Sequence, residues 1–175
     1  LDAELREAAE FVAPLMNAPL GYITVPGNHD IYAKDVIKHQ YFSRYFGAAM
    51  QTDMPQYCVD GPWPFVRLIG EQVAVVGVNS SKPNPVPWRS DGHIPSIQLA
   101  SLNKILADPA LQGRFVFMMT HYAARLEDGS PDSKLHGLHN ADDFLEICQQ
   151  IPNGALLCGH IHRCYRTPLA GLNVD

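Results

Sequence analysis

Along residues 1–16, Leu1, Leu5, Ala8, Val12 and Leu15 recur on one helical stripe, while Glu4, Arg6, Glu7 and Glu10 fall outside it. That spacing predicts an amphipathic helix. Residues 21–25 are aromatic and β-branched and predict a strand, ended by the turn Pro26-Gly27. Residues 33–46 predict a helix with Val36, Ile37, Tyr41, Tyr45 and Phe46 as packing positions, closed by Gly47. Residues 48–64 read as irregular. Residues 65–69 and 73–78 predict two strands of a hairpin turning at Gly70-Glu71-Gln72. Pro83, Pro85 and Pro87 predict a stiff surface loop over 81–89.

Further along, Ser96 is placed to cap a helix that turns Leu99, Leu102, Ile105 and Leu106 inward and stops at Asp108-Pro109. Residues 115–119 are an apolar run and predict a buried strand. Asn140 is placed to cap a last helix, with Asp142 and Asp143 in its first turn and Phe144, Ile147, Cys148 and Ile151 on its inner face. Residues 155–158 predict a final short strand. Helices alternating with short apolar strands indicate a layered α/β domain, taken as one domain over residues 1–175.

Composition narrows the classes. The chain has 175 residues, 46% hydrophobic and 18% charged, which fits a folded globular protein and excludes a disordered or fibrous one. Its net charge of -5 argues against binding along a nucleic-acid backbone, though a small phosphate ester held by metal ions is compatible with it. No apolar run reaches the ~20 residues of a membrane span, so no membrane partner is expected. Cys58, Cys148, Cys158 and Cys164 include no C-x-x-C and read as reduced thiols of a cytoplasmic protein. Cys158 reads as a small buried residue.

The chemistry concentrates where three strands end. Residues 23–25 run into Gly27-Asn28-His29-Asp30, residues 115–119 into Thr120-His121, and residues 155–158 into Gly159-His160-Ile161-His162. Sites in open α/β sheets form beyond the carboxyl ends of strands, so three such ends can converge on one crevice. If residues 159–162 are extended, His160 and His162 point the same way and can share a metal.

In this order the three motifs resemble the calcineurin-like metallophosphoesterase family, which includes purple acid phosphatases, class III cyclic-nucleotide phosphodiesterases and nucleases of the double-strand-break repair type. The resemblance runs from about residue 21 to 163 and points to the bacterial phosphodiesterase-like members. It implies an α/β/β/α sandwich and hydrolysis of phosphate esters, phosphodiesters foremost, by a hydroxide activated between two metal ions. It further implies that Asn28, His121 and His160 ligate one metal and His162 the other, that His29 protonates the leaving oxygen, and that Asp30 orients the His29 ring. Imidazole with amide and carboxylate oxygen suits Mn, Fe or Zn. Alternatives on the same fold are a catalytically silent binding scaffold and a nuclease, and homo-oligomerisation stays open.

Two motifs of the resemblance, D-x-H and G-D, do not precede Gly27, and no Gly-Asp dipeptide occurs in the chain. Because Leu1 already lies on a helical stripe and Asp175 follows closely on the last motif, we expect the domain to be cut at its N-terminus and at its C-terminus. These 175 residues alone are then expected to bind metal weakly. Asp91-Gly92-His93 spells D-x-H out of order and reads as a polar turn. His136 and His139 read as a solvated loop. Tyr122 stands where many family members carry a second histidine. Cys158, His160, His162 and Cys164 could be read as a structural zinc set, but four ligands along one strand wrap a tetrahedral ion poorly.

Overall fold

Four strands form one mixed sheet in chain order: β1 (Phe65–Ile69), β2 (Val73–Gly77), β3 (Phe115–Met119) and β4 (Gly154–Leu157). The computed structural model describes residues 1–84, 86 and 88–169. β1 and β2 make the expected antiparallel hairpin, and β2, β3 and β4 run parallel. A parallel step needs a crossover, and each has a helix in it. α4 (Ser96–Leu106) links β2 to β3, and α5 (Ala141–Cys148) links β3 to β4.

The register builds the core. Val66, Val76, Met118 and Leu156 align across the sheet, and Leu68, Ala74, Val116 and Gly154 form the next row on the same face. Against this face α4 sets Leu99, Leu102 and Ile105, and α5 sets Phe144, Leu145 and Cys148, with Ile151 just beyond it. Leu102, Ile105 and Phe144 are wholly buried, each stabilising the fold by about 1.5–3 kcal/mol through apolar area removed from water. On the opposite face Phe65 joins Trp63 and a second cluster formed by α1 (Asp2–Val12), α2 (Lys34–His39), α3 (Tyr41–Phe46) and the 3₁₀ turn Gly47–Met50 that follows it, which includes Leu5, Val36, Phe42, Phe46 and Met50. The α/β class is as the sequence predicts, and the described residues contain this one sheet of the layered architecture.

Several local expectations are corrected. Residues 21–25 join no strand ladder; they run along the second cluster, with Tyr22, Ile23 and Val25 packed against it. The helix expected over 33–46 is broken at Gln40, whose φ of 51° is left-handed and cannot continue a right-handed helix. Neither expected cap side chain acts as one. Ser96 is the first helical residue behind Pro95, and Asn140 spends its amide on Ile94, accepting from its N–H at 3.1 Å and donating to its carbonyl at 2.8 Å. That amide instead ties the entrance of α4 to that of α5. Cys158 is exposed rather than buried, because it follows the end of edge strand β4. In the proline loop, Ser81 and Asn84 are buried, while Pro85 and Pro87 lie outside the described residues.

Candidate metal centre

The parallel strands deliver their loops to one edge of the sheet. β3 ends at Met119 and passes through buried Thr120 to His121, while β4 ends at Leu157 and passes to Gly159-His160. Thr120 N–H donates to the Leu157 carbonyl at 3.1 Å and Gly159 N–H to the His121 carbonyl at 2.9 Å, so the two loops leave the sheet still paired. The third segment arrives from the other side of the chain. Ser81, in the loop after β2, donates its hydroxyl to the Pro26 carbonyl at 2.9 Å and seats the 3₁₀ turn Asn28–Asp30 beside this edge.

Within this setting Asn28 is buried, and its Oδ1 lies 2.9 Å from His121 Nε2. The His121 and His160 rings meet edge to face with centroids 5.1 Å apart. Gly27 is required by the approach: a Cβ there would stand 3.0 Å from His121 Cε1 and 3.4 Å from Asp30 Oδ2. Burial, aided by the charges of His160, His29 and His162, pulls the His121 imidazole down to about 4. It is therefore neutral at physiological pH, as a metal-ligating imidazole must be. His160 is likewise pulled down, mainly by burial, against the opposing influence of the His136 backbone beside its ring.

The backbone at residues 159–162 is not the extended segment the sequence suggests. His160 and His162 have φ of 67° and 55°, and the Ile161 N–H donates back to the Gly159 carbonyl at 2.8 Å. That bond closes a γ-turn around His160 in the left-handed region, a strained conformation for a residue with a Cβ. Backbone geometry, not period-two alternation, turns His160 toward His121. His162 is exposed; no hydrogen bond or ring contact joins it to Asn28, His121 or His160 among the described residues, although its charge acts on both histidines.

His29 is exposed at the lip of the site and stacks on Tyr32 with centroids 5.3 Å apart. Asp30 does not hold the His29 ring by a hydrogen bond. Its Oδ2 accepts the Gly27 N–H at 2.8 Å, which fixes the turn carrying Asn28, and burial raises its carboxyl above the ordinary value. His29 and Asp30 line a 530 Å³ cavity with Glu4, Leu5 and Ala8 of α1. Tyr122, which stands where many family members carry a second histidine, is wholly buried with its ring 4.3 Å from that of His160 and walls the site.

Donor chemistry fits a divalent metal: a buried amide oxygen, one imidazole held neutral and a second against it. The hydroxyls of Thr120 and Tyr122, on either side of His121, are buried without hydrogen-bond partners. Among the described residues no three His, Cys, Asp or Glu side chains are grouped closely enough to hold an ion. This removes the Cys158–Cys164 zinc set and leaves a partial set built on Asn28, His121 and His160.

The calcineurin-like phosphoesterase family model matches residues 4–164. The chain belongs to that family. Its members hydrolyse phosphoesters with metal ions, and the match spans the Asn28, His121 and His160 segments together. No curated protein matches the chain. No helix among the described residues is long and apolar enough to cross a membrane.

Sequence reasoning missed Asp91. It is wholly buried, not a polar turn, and gathers Arg89, Lys82 and His139 around its carboxylate. The available signal was its placement just after Lys82 and Arg89 of a proline-rich loop, where an acid close to two bases can pair with both.

Proposed function

We propose that this calcineurin-like phosphoesterase hydrolyses small phosphodiesters at the Asn28–His121–His160 cluster, with His162 completing a two-metal centre. The observation that carries the reading is the 2.9 Å contact between Asn28 and His121, two residues separated by 93 positions that are brought together as neutral oxygen and nitrogen donors. When bound, the metal supplies charge neutralisation at the phosphate and acidifies water, with Mn, Fe or Zn the candidates. Asn28, His121 and His160 would hold it. His29 is free at the lip to hold a proton on its imidazole and deliver it to the departing oxygen, while Tyr32 supports its ring. The net charge of -5 favours a small diester over a nucleic-acid strand, and the free cysteines suit a cytoplasmic setting.

Equilibrium dialysis with Mn²⁺, paired with turnover of bis(4-nitrophenyl) phosphate and of the corresponding monoester, tests this. The expected result is Mn²⁺-dependent turnover favouring the diester, lowered by about 10²–10⁴ in His29→Ala as for loss of a general acid. Loss of Mn²⁺ binding in His121→Ala is expected alongside. Mn²⁺ bound without turnover would make the chain a metal-holding scaffold, and no Mn²⁺ uptake would remove the metal centre.

A further inference from the structure

His160 occupies a conformation it cannot hold by itself. A residue with a Cβ at φ 67° inside a γ-turn persists only where its surroundings fix it. Its neighbours do so: the Tyr122 ring lies against it at 4.3 Å, and the His136 backbone stands beside its ring. Both lead to the same place in the chain.

The His136 segment has no strand or helix of its own. It is held by the residues around Asp91 through a short parallel pairing. Ser90 N–H donates to the Leu135 carbonyl at 2.9 Å, Gly92 N–H to the Gly137 carbonyl at 3.0 Å, and His139 N–H to the Gly92 carbonyl at 3.0 Å. Ser90 Oγ lies 2.7 Å from His136 Nδ1. Gly92 also meets the other support: a Cβ there would stand 2.3 Å from Tyr122 Cδ2, so the backbone rests on the ring that rests on His160.

Asp91 fixes this segment in turn. Arg89 Nε reaches its Oδ1 at 2.8 Å, while Lys82 Nζ at 2.6 Å and His139 Nε2 at 3.0 Å hold Oδ2 by charge rather than by aligned hydrogen bonds. His139 Nε2 also lies 2.9 Å from the Lys134 carbonyl; with acceptors on both sides, that nitrogen carries the proton. The Asp91 carbonyl accepts from buried Asn84 at 3.0 Å. The carboxylate thus pairs with Lys82 and Arg89 of the proline loop and with His139, whose ring also reaches the Lys134 carbonyl, so one buried negative charge ties the loop to both ends of the 134–139 segment.

We propose that Asp91 is a positioning residue for His160: by clamping residues 134–139 and seating Gly92 on Tyr122, it holds the imidazole turned toward His121. The importance of that orientation for metal binding rests on the function proposed above. The placement of the ring does not, and can be measured without metal.

The test uses the chain labelled with ¹³C,¹⁵N-histidine, with the His160 imidazole resonances assigned through His160→Gln. Asp91→Asn and the milder His139→Ala, which removes one link at an exposed ring, are compared with the parent in chelator and then titrated with Mn²⁺. In folded Asp91→Asn the His160 ring resonances should shift or broaden while those of His29 stay in place, and Mn²⁺ should bind about tenfold or more weakly, as when an outer-shell partner is lost. His139→Ala should move the same resonances by less. Unchanged His160 resonances in a folded Asp91→Asn chain would overturn the proposal. Should Asp91→Asn fail to fold, His139→Ala decides by the same readout. A parent that binds no Mn²⁺ would defeat the metal reading, yet the resonances in chelator would still decide the role of Asp91.

Discussion

Asn28 Oδ1 and His121 Nε2 stand 2.9 Å apart, with 93 positions of chain between them. One comes from a 3₁₀ turn fixed by Asp30 and the other from the end of a central parallel strand, and among the described residues no other side chain hydrogen-bonds to either. Asn28→Ala should therefore act twice. It leaves the His121 nitrogen without its partner, costing about 1–3 kcal/mol. It also removes an oxygen donor, so Mn²⁺ affinity should fall at least about tenfold. Urea denaturation in chelator reads the first effect and calorimetric titration the second. Asn28→Ala with the parent's affinity would exclude the amide from the site.

Stability should depend on pH through His121. Burial and its histidine neighbours hold the folded-state imidazole at about 4, against 6.5 for the free group. On acidification the unfolded chain takes up this proton first, so the neutral ring stabilises the fold fully above pH 6.5, and the contribution is lost as pH falls toward 4. His160 and His93, both lowered mainly by burial, act with the same sign. Asp30 acts oppositely, since burial raises its carboxyl and the folded state gains as that group protonates. Urea midpoints in chelator should decline from about pH 7 to about pH 4 in the parent and decline less in His121→Gln. A level parent midpoint through that window would contradict the assignment.

Which parts were legible in the sequence follows from what each residue pattern encodes. The hairpin of β1 and β2 and the buried run of β3 are written in β-branched and apolar residues bounded by turns, and they form as predicted, β2 ending one residue sooner. The inner residues of α4 and α5 follow from 3.6-residue spacing. Residues 21–25 have strand composition, but a strand also needs a partner edge, which composition does not report. At the site, the identities of Asn28, His121 and His160 were legible because ligand chemistry is a matter of side-chain type. The conformation of residues 159–162 was not, because an i→i+2 bond and a positive φ at a histidine leave no periodic trace. Asp91 was misread for a related reason. A carboxylate is polar by itself, and only the arrival of Lys82, Arg89 and His139 makes its burial tolerable.

Phe65 and Gly77 are register partners, and the ring lies across the glycine so closely that a Cβ there would stand 2.3 Å from Phe65 Cζ. Phe65 is wholly buried between the sheet and Trp63, so the ring cannot give way. Gly77→Ala should cost about 1–3 kcal/mol in urea denaturation, as overpacking does. Gly47→Ala is the control. Nothing stands within 4 Å of its Cβ and its backbone is already helical, so it should be neutral or slightly stabilising. Equal effects at the two glycines would mean that the Phe65 contact is not what Gly77 serves.

The four free cysteines should separate by reactivity. Cys148 faces the core from α5 with no exposed surface, and burial pushes its thiol up to about 12, so it should react with a disulfide reagent only on unfolding. Cys58 is half-buried, raised by burial, and donates its S–H to the Pro62 carbonyl at 3.4 Å, so it should be slow. Cys158 and Cys164 are exposed and should label first, with Cys158 the slower of the two because partial burial raises its thiol. These two flank His160 and His162, which makes them a direct check on whether metal binds through sulfur. If the centre is built on Asn28, His121 and His160, Mn²⁺ should leave both labelling rates unchanged, because an oxygen- and imidazole-bound ion withdraws no thiolate. Protection of Cys158 and Cys164 together by stoichiometric Zn²⁺ would instead return the sulfur-ligated arrangement and displace Asn28 from the centre.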